Sequence, residues 1–545
     1  MTHRHQRPGS IPTRRRTRHR GAVAVLGLGA LCLAVTLALS PAGPASAYTP
    51  PPCGPSATPA SVCPFPANPD NGYPPGQPAY TYNDCLWGYV LNPNNALTNQ
   101  TGIDANNAYY TSVFVMPPHS KIILHGQFPH ARFFSFTTYG TVNGTVGIAT
   151  SWIFDYQLNP DPGSQNPFQP GVRRDVTKRN FTLTISSEVK PANPAPNTLY
   201  AGAPGQTDQS QQVNVTTRFY LPDRLYLPVS RTSNLMGGVA PPAHTVVLAS
   251  GKTYTGKAMC NVVHSTPGAL SGPTFFSSGI PNGLYAGLRD LGPVGHPATR
   301  VPEWQRYYNA TQVLKPLFQH TRFAFLIPSF YNETPAVSFF PNPANTYIVA
   351  YVDRRLGPAP GGHNVFVMHF KIPTTPKTYL GNPGPNDNGT VQARYESLCT
   401  YASPAIATNL QQFEKCLNDQ TMLPNKDRMV TIVLSTAQDR PKNATARCGV
   451  AWQELSRYGD NFGIVGKSKT LVDPGVLPGG RLGAGTDPYL YTVVIRQQLP
   501  NTKFQRSFAN IPTNKVIKPF LGPYYPGGTY MTARQFDGTH PCNGS

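Results

Sequence analysis

Five side chains of the 545-residue sequence have the chemistry that acid–base catalysis on a polymer requires. A histidine can act as a general base, and an arginine can hold a developing anion, provided that both reach one groove. A simpler alternative exists for each candidate: a hydrogen-bonded histidine on a strand, or an aspartate paired with a neighbouring arginine, as Asp353 could be with Arg354. The candidate catalytic residues are His125, His130, Arg132, Asp353 and His369.

The motifs of several enzyme classes are missing from the sequence. It contains no G-x-S-x-G nucleophile elbow, no H-E-x-x-H pair on a helix, and no glycine-rich loop that opens a phosphate-binding helix. No two cysteines have the C-x-x-C spacing of a zinc site. We therefore expect neither a metal nor an organic cofactor. A cupin-like histidine metal site inside a jelly roll is the alternative.

One short segment of the sequence occurs twice. The stretch ARFFSFTTY at 131–139 shares five of nine positions with ARYESLCTY at 393–401. Alternation of aromatic and polar residues predicts that each stretch is a strand. Other paired segments follow the same order in the two parts of the chain, among them ILHGQFP with VMHFKIP, RNFTLTISS with RMVTIVLST, and TTRFYLPD with VIRQQLPN. The sequence therefore predicts an internal duplication.

The duplication keeps a set of polar residues that an ordinary strand does not need. An arginine in a sheet core requires a fixed partner, because an unpaired buried charge costs several kcal/mol. One interpretation is a structural network that fixes strand register. The other is a cleft in each copy, where arginine holds an anionic or carbonyl group and tyrosine stacks on a ring. The repeated pairs are Arg132 with Arg394, Ser135 with Ser397, Tyr139 with Tyr401, Arg218 with Arg496, and His125 with His369.

Composition predicts the fold class. The chain has 60 prolines, 49 glycines and 54 Tyr plus Phe (28 and 26), with only 13% charged residues. Proline excludes long helices, and aromatic and β-branched runs favour strands. We predict a mainly β protein with two duplicated antiparallel β-sandwich or jelly-roll units and few short helices, the best near 302–318 and 403–417. The expected divisions are a signal peptide at 1–47, a proline-rich arm at 48–83, β units at 84–264 and 318–520, a connecting segment at 265–317, and a tail at 521–545.

The first 47 residues are typical of an export signal. Seven arginines and no acid precede an apolar stretch at 22–39, and Ala45-Ser46-Ala47 fits a cleavage site. An uncleaved anchor is the alternative, since 18 apolar residues are just long enough to span a bilayer. We expect cleavage, secretion, and no stable membrane insertion afterwards.

Cysteine content agrees with an oxidising location. Eight cysteines lie outside the leader, and an even number in an exported chain predicts disulfides. The pairs that close short local loops are Cys53 with Cys63 and Cys399 with Cys416. Cys85, Cys260, Cys448 and Cys542 stay unassigned.

Several of these segments resemble a known family. The runs FPHARFFSFTTYG, RFYLPD, ARYESLCTY and RPKNATARCGVAW are similar to a family of exported actinobacterial proteins without an established activity. More loosely, the pattern resembles tandem bacterial domains of unknown function that fold as paired β-sandwiches. The resemblance implies the fold and no catalytic residue.

Two functional hypotheses follow. The formal net charge is +21, but no Lys/Arg run outside the leader exceeds two, so we expect no nucleic-acid partner. The first hypothesis is a non-catalytic secreted binding or structural protein that presents aromatic surfaces to extracellular polysaccharide or a cell-wall polymer. The second is an extracellular hydrolase or lyase whose site lies in a groove between the repeats.

Overall fold

A computed structural model describes two groups of β-sheets. The predicted signal peptide, the proline-rich arm and the Cys53–Cys63 pair lie outside the described residues, all of which belong to one compact unit. The described residues are 86–87, 89–91, 104–142, 145–202, 205, 210–223, 236–263, 302–307, 342–386, 389–401, 414–455, 476–477, 481–482, 489–512 and 515–542.

The prediction of a mainly β fold is confirmed. The described residues of the first half form ten strands: β1 (Tyr89–Leu91), β2 (Asn107–Met116), β3 (Lys121–Gln127), β4 (Ala131–Val142), β5 (Thr145–Phe154), β6 (Asn180–Val189), β7 (Thr198–Gly202), β8 (Gln211–Pro222), β9 (Ala243–Val247) and β10 (Thr253–Thr255). Eleven follow: β11 (Gln305–Tyr307), β12 (Asn345–Asp353), β13 (Val365–Lys371), β14 (Ala393–Tyr401), β15 (Glu414–Asn418), β16 (Met429–Ser435), β17 (Ala451–Glu454), β18 (Val476–Leu477), β19 (Arg481–Leu482), β20 (Leu490–Pro500) and β21 (Gly528–Met531).

The first half is a sandwich of two five-stranded sheets. The first inner sheet has the order β1-β2-β8-β4-β5, and the first outer sheet has the order β10-β9-β3-β6-β7. Alternate residues of β4 point between the sheets, where Phe134 and Phe136 pack against Phe181 of β6. The intervening residues of β4 point the other way, toward the second half of the chain.

The second half repeats this arrangement. Its inner sheet has the order β11-β12-β20-β14-β15, and its outer sheet has the order β17-β16-β13-β21. Registers also correspond, because Ser135 lies opposite Arg218 and Ser397 lies opposite Arg496. In both outer sheets the last pair of repeated strands, β6 with β7 and β16 with β17, is parallel. The repeated segments therefore hold equivalent places in two similar sandwiches.

Segments expected as linker and tail contribute strands. In the predicted connecting segment, β11 pairs with β12, and in the predicted tail, β21 pairs with β13. The described α-helices are short: α1 (Gly256–Val262), α2 (Lys518–Leu521) and α3 (Ala533–Thr539). None of the helices in the described ranges is long and apolar enough to cross a membrane.

The two helices predicted from the sequence are wrong where they can be compared. Residues 305–307 form β11, and Glu414–Asn418 form β15. Residues 403–413 of the second predicted helix lie outside the described part of the chain. The strand at β15 forms because it pairs along β14, and this tertiary pairing outweighs local helix propensity. The pairing also places Cys416 directly opposite Cys399, and the two form a disulfide.

A second disulfide attaches the C-terminal segment. Cys448 is bonded to Cys542, 94 residues later, and Cys260 is also disulfide-bonded. The segment before Cys542 holds α3, whose Phe536 is fully buried against Val365 and Val433. The bond therefore holds α3 against the second outer sheet.

Replacing both Cys448 and Cys542 with serine is expected to lower the free energy of unfolding by about 2–5 kcal/mol, because the bond closes a long loop in the unfolded chain. Urea unfolding of the oxidised proteins measures the change. Hydrogen exchange should rise first in α3 and β21. Unchanged unfolding together with unchanged exchange would contradict this role.

Candidate functional site

The repeated histidines lie on outward surfaces rather than in a groove. His125 is exposed on β3, with Nδ1 3.1 Å from Oγ1 of Thr182, and His369 is exposed on β13, with Nδ1 3.1 Å from Oγ1 of Thr431. They belong to two different outer sheets. Each histidine therefore makes the same contact with a threonine of the neighbouring strand. This agrees with the simpler alternative, in which each is a hydrogen-bonded histidine on a strand.

The surroundings of His130 and Asp353 differ from those of the two exposed histidines. Burial, assisted by the positive charges of Arg179 and Arg174, lowers the pKa of His130 to about 4. Asp353 ends β12 and forms an ion pair of 2.6 Å with Arg355. The predicted pairing of Asp353 with Arg354 is wrong, because the Arg354 guanidinium is paired with Asp439.

Arg132 is buried between the two repeats. Its guanidinium donates to both carboxylate oxygens of Asp419, at 2.9 and 3.1 Å, and to Thr378 and Gln420, at 2.5 and 2.8 Å. All of these acceptors belong to the second half of the chain. The structure thus distributes the five predicted catalytic residues over separate environments instead of assembling them.

Arg394 makes the reciprocal contact. It donates to both carboxylate oxygens of Asp155, at 3.2 and 3.3 Å, and Asp155 belongs to the first half. Each motif arginine also donates to the backbone carbonyl of the other, at 3.2 Å from Arg132 and 3.4 Å from Arg394. We call these two crossed contacts, Arg132–Asp419 and Arg394–Asp155, the exchanged ion pairs.

The two aspartates occupy equivalent positions. Asp155 directly follows β5, and Asp419 directly follows β15. Asp155 accepts a hydrogen bond from the backbone N–H of Phe134 at 3.0 Å, and Asp419 accepts one from Glu396 at 3.1 Å. Burial raises the pKa of Asp155 to about 6, although Arg394 acts in the opposite direction.

Sequence reasoning missed both aspartates. The strands that precede them, β5 and β15, share too few residues to be aligned as repeats. A signal was nevertheless present, because a buried arginine repeated in both motif strands requires a fixed partner in both copies, and a carboxylate is the simplest such partner. The exchanged ion pairs favour the structural interpretation of Arg132 and Arg394.

The other two repeated arginines, Arg218 and Arg496, have different surroundings in the two copies. Arg496 lies 2.9 Å from the carboxylate of Asp104, which also accepts hydrogen bonds from the hydroxyls of Tyr395, at 2.8 Å, and Ser397. Asp104 lies in the first half of the chain, so this pair also crosses between repeats. The Tyr347 ring, 5.7 Å from the Arg496 guanidinium, completes these surroundings.

Arg218 is surrounded by neutral groups. It donates to Oγ1 of Thr137 at 2.9 Å and to the hydroxyl of Tyr139, and it lies 5.2 Å from the ring centroid of Tyr109. Burial raises the pKa of Tyr139 and Tyr109, so both phenols stay protonated at neutral pH. The side chain of Tyr401, the repeat partner of Tyr139, lies outside the described residues.

A hydroxyl network lies beside Arg218. The hydroxyls of Tyr109 and Tyr220 are 2.6 Å apart, and the amides of Asn342 and Asn345 donate to Tyr220 at 2.8 and 2.9 Å. Burial raises the pKa of Tyr220 to about 12. The Arg218 side of the interface therefore contains a cation and neutral polar groups.

One group of potential metal ligands occurs in the described part of the chain. The donor atoms of Asp104, Cys399 and Cys416 lie within 4.8 Å of one another. Both sulfurs belong to the same disulfide, so neither is a thiolate that could bind a metal. This grouping does not form a metal site while the disulfide is intact.

The edge of the first inner sheet exposes aromatic rings. Trp152 of β5 lies opposite Thr137 and is 38% exposed, and Tyr156, just beyond the strand, is 39% exposed. Between them the ring of Phe154 is buried, 6.1 Å from that of Tyr156. The ammonium group of Lys190 lies 5.2 Å from the Trp152 ring centroid. We call Trp152, Phe154 and Tyr156 the aromatic edge.

Comparison with known proteins adds little to this geometry. No protein-family model and no curated protein matches the chain. An uncharacterised protein from Burkholderia cenocepacia is similar at 10% identity, with 82% of each chain covered and a TM-score of 0.38. A protein from Vibrio parahaemolyticus is similar at 10% identity, with 80% of this chain and 90% of that chain covered and a TM-score of 0.31. At such TM-scores neither likeness carries an argument about activity.

Proposed function

We propose that this is a secreted, non-catalytic protein that binds an extracellular polysaccharide or a cell-wall polymer through the aromatic edge. The observation that carries the proposal is the exposure of Trp152 and Tyr156 at one end of a strand whose Phe154 is buried. The disulfides support an oxidising location outside the cell, in agreement with the export signal expected in the sequence.

Ring chemistry suits a sugar ligand. Tryptophan and tyrosine offer a flat apolar face together with a polar group, so they can pack on a sugar ring while its hydroxyls stay hydrated. Lys190 over Trp152 adds a positive charge beside the rings. Because β5 is hydrogen-bonded along β4, the strand is held in place before a ligand arrives, which limits the entropy lost on binding.

The positions of the polar candidates also favour binding over catalysis. His125 and His369 lie on different outer sheets, and Arg132 is used in an exchanged ion pair. A hydrolase or lyase would need a base and an anion-binding group at one bond of the substrate. The binding experiment below therefore also measures product formation, which would support the enzyme hypothesis.

Removing the rings of the aromatic edge is expected to weaken polymer binding. Trp152→Ala and Tyr156→Ala should each lower affinity about two- to tenfold, since an aromatic stacking contact contributes about 0.5–1.5 kcal/mol. Pull-down and calorimetry against plant, fungal and bacterial polysaccharides and wall polymers measure the change. Phe520→Ala is the matched control, because Phe520 is an aromatic residue of the same 38% exposure on α2.

Release of reducing ends or unsaturated product is measured in the same wells. Binding that persists in the double variant Trp152→Ala/Tyr156→Ala would overturn the proposed surface. Product formation that is lost in His125→Ala or His369→Ala would establish an enzyme instead. Both histidines are exposed, so neither substitution should unfold the protein.

A further inference from the structure

The two repeats differ by one buried charge. Asp104 precedes β2 and Asn342 precedes β12, and the two side chains adopt the same turn. Oδ1 of Asp104 accepts from the N–H of Asn106 at 2.9 Å, and Oδ1 of Asn342 accepts from the N–H of Ala344 at 3.1 Å. A carboxylate in one loop is therefore replaced by a neutral amide in the other.

The carboxylate has matching donors in the second repeat. Ser397 and Arg496 lie opposite each other on β14 and β20, and both contact Asp104. The equivalent residues in the first repeat are Ser135 and Arg218, which also lie opposite each other. No carboxylate among the described residues forms an ion pair with Arg218.

In the first repeat, buried hydrogen-bond donors therefore lack an acceptor among the described residues. Among the described residues, neither the hydroxyl of Ser135 nor Nε of Arg218 has a hydrogen-bond partner, although the residues are only 1% and 2% exposed. The contrast between the repeats lies in the serine, since the hydroxyl of Ser397 donates to Asp104. The amide of Asn342 donates to Tyr220 and cannot neutralise a guanidinium. A buried charge whose contacts are all neutral is costly unless an opposite charge binds beside it.

We propose that Arg218 and Ser135 form a binding site for the carboxylate group of a ligand, as Arg496 and Ser397 bind the carboxylate of Asp104. An arginine and a hydroxyl on adjacent strands suit this group, since a carboxylate accepts several charge-assisted hydrogen bonds. Strand β5, with its exposed Trp152, lies two strand spacings, about 10 Å, from β8, which bears Arg218. This inference stands on the internal comparison of the repeats and does not require the glycan proposal.

Thermal unfolding and calorimetry of the oxidised full-length protein test the site. At equal ionic strength, sodium acetate and glucuronate should raise Tm, and sodium chloride and glucose should not. Ser135→Ala should weaken binding of both carboxylates about tenfold, as expected for a lost hydrogen bond to a charged group. Ser187→Ala is the matched control, because the Ser187 hydroxyl is also buried and has no hydrogen-bond partner within the described ranges, but lies in the first outer sheet.

The substitution Asn342→Asp provides a test in the opposite direction. It places a carboxylate where the other repeat has one, so Tm should rise without ligand and the response to acetate should disappear. Wild-type protein that responds equally to chloride and acetate would overturn the site. So would an acetate response that is unchanged in both Ser135→Ala and Asn342→Asp.

Ligand source is distinguished in the same series. Glucuronate and polygalacturonate that bind more tightly than acetate would identify an acidic sugar, and equal affinities would identify a small free carboxylate. Trp152→Ala should leave acetate binding unchanged even where it weakens polymer binding. Failure of the glycan proposal and failure of the carboxylate site therefore give different results.

Discussion

Replacing Asp419 with alanine is expected to lower the free energy of unfolding by about 3–5 kcal/mol, which is typical when one partner of a buried ion pair is removed. Both Asp419 and Arg132 are essentially without solvent exposure, so the substitution leaves a buried guanidinium without its carboxylate. It also removes the acceptor of the Glu396 backbone N–H. Urea unfolding of variant and wild type measures the difference.

Two controls separate charge from packing. Asp175→Ala breaks an ion pair with Arg173 at the surface and should leave stability unchanged within error, because exposed pairs are screened by solvent. The double variant Arg132→Met/Asp419→Leu should recover most of the loss, since an apolar pair of similar volume needs no desolvation of charge. A loss below about 1 kcal/mol in Asp419→Ala would mean that the exchanged ion pair does not hold the repeats together.

A second large effect is expected from pH, through Glu396. This residue points into the second sandwich and is 2% exposed, and its Oε2 accepts a hydrogen bond of 3.0 Å from Gln497. Burial raises the pKa of Glu396 to about 8, with the nearby charge of Asp419 acting in the same direction. The equivalent residue of the first repeat is Phe134, whose ring centroid lies 5.1 Å from that of Phe219.

Stability should therefore fall as pH rises. Because the pKa of Glu396 in the folded protein exceeds the ordinary value of 4.5, the folded state binds more protons than the unfolded state between pH 4.5 and about 8. The contribution of Glu396 to stability is fully present below pH 4.5 and is lost as pH rises through about 8. The total loss is on the order of 5 kcal/mol. Urea unfolding at pH 5 and pH 9 measures it.

The variant Glu396→Gln isolates this residue. Glutamine has the same shape, stays neutral, and can accept the Gln497 hydrogen bond through its carbonyl. The variant should match wild type near pH 5 and be more stable near pH 9, with most of the pH dependence removed. Equal pH dependence in the two proteins would show that Glu396 does not titrate in this range.

The sequence could predict whatever depends on local pattern. Alternation in ARFFSFTTY and ARYESLCTY indicated strands, and a motif present twice indicated that Ser135 and Ser397 occupy equivalent registers. The Cys399–Cys416 disulfide could be predicted for the same reason, because its two cysteines are close in the sequence and close a short local loop. The high proline content argued against long helices.

Only the tertiary structure decided which groups meet. Asp155 and Asp419 follow edge strands without a local motif, and each pairs with an arginine of the other repeat. The sequence likewise suggested a helix where β15 lies, since strand pairing depends on a distant partner. Local residue order determines the period of a strand and which face each side chain takes, whereas the partner of a buried charge depends on how two sheets pack. This is why the sequence determined the β repeats, and the packing of the inner sheets decided that Arg132 and Arg394 pair across them and that Arg218 remains without a carboxylate among the described residues.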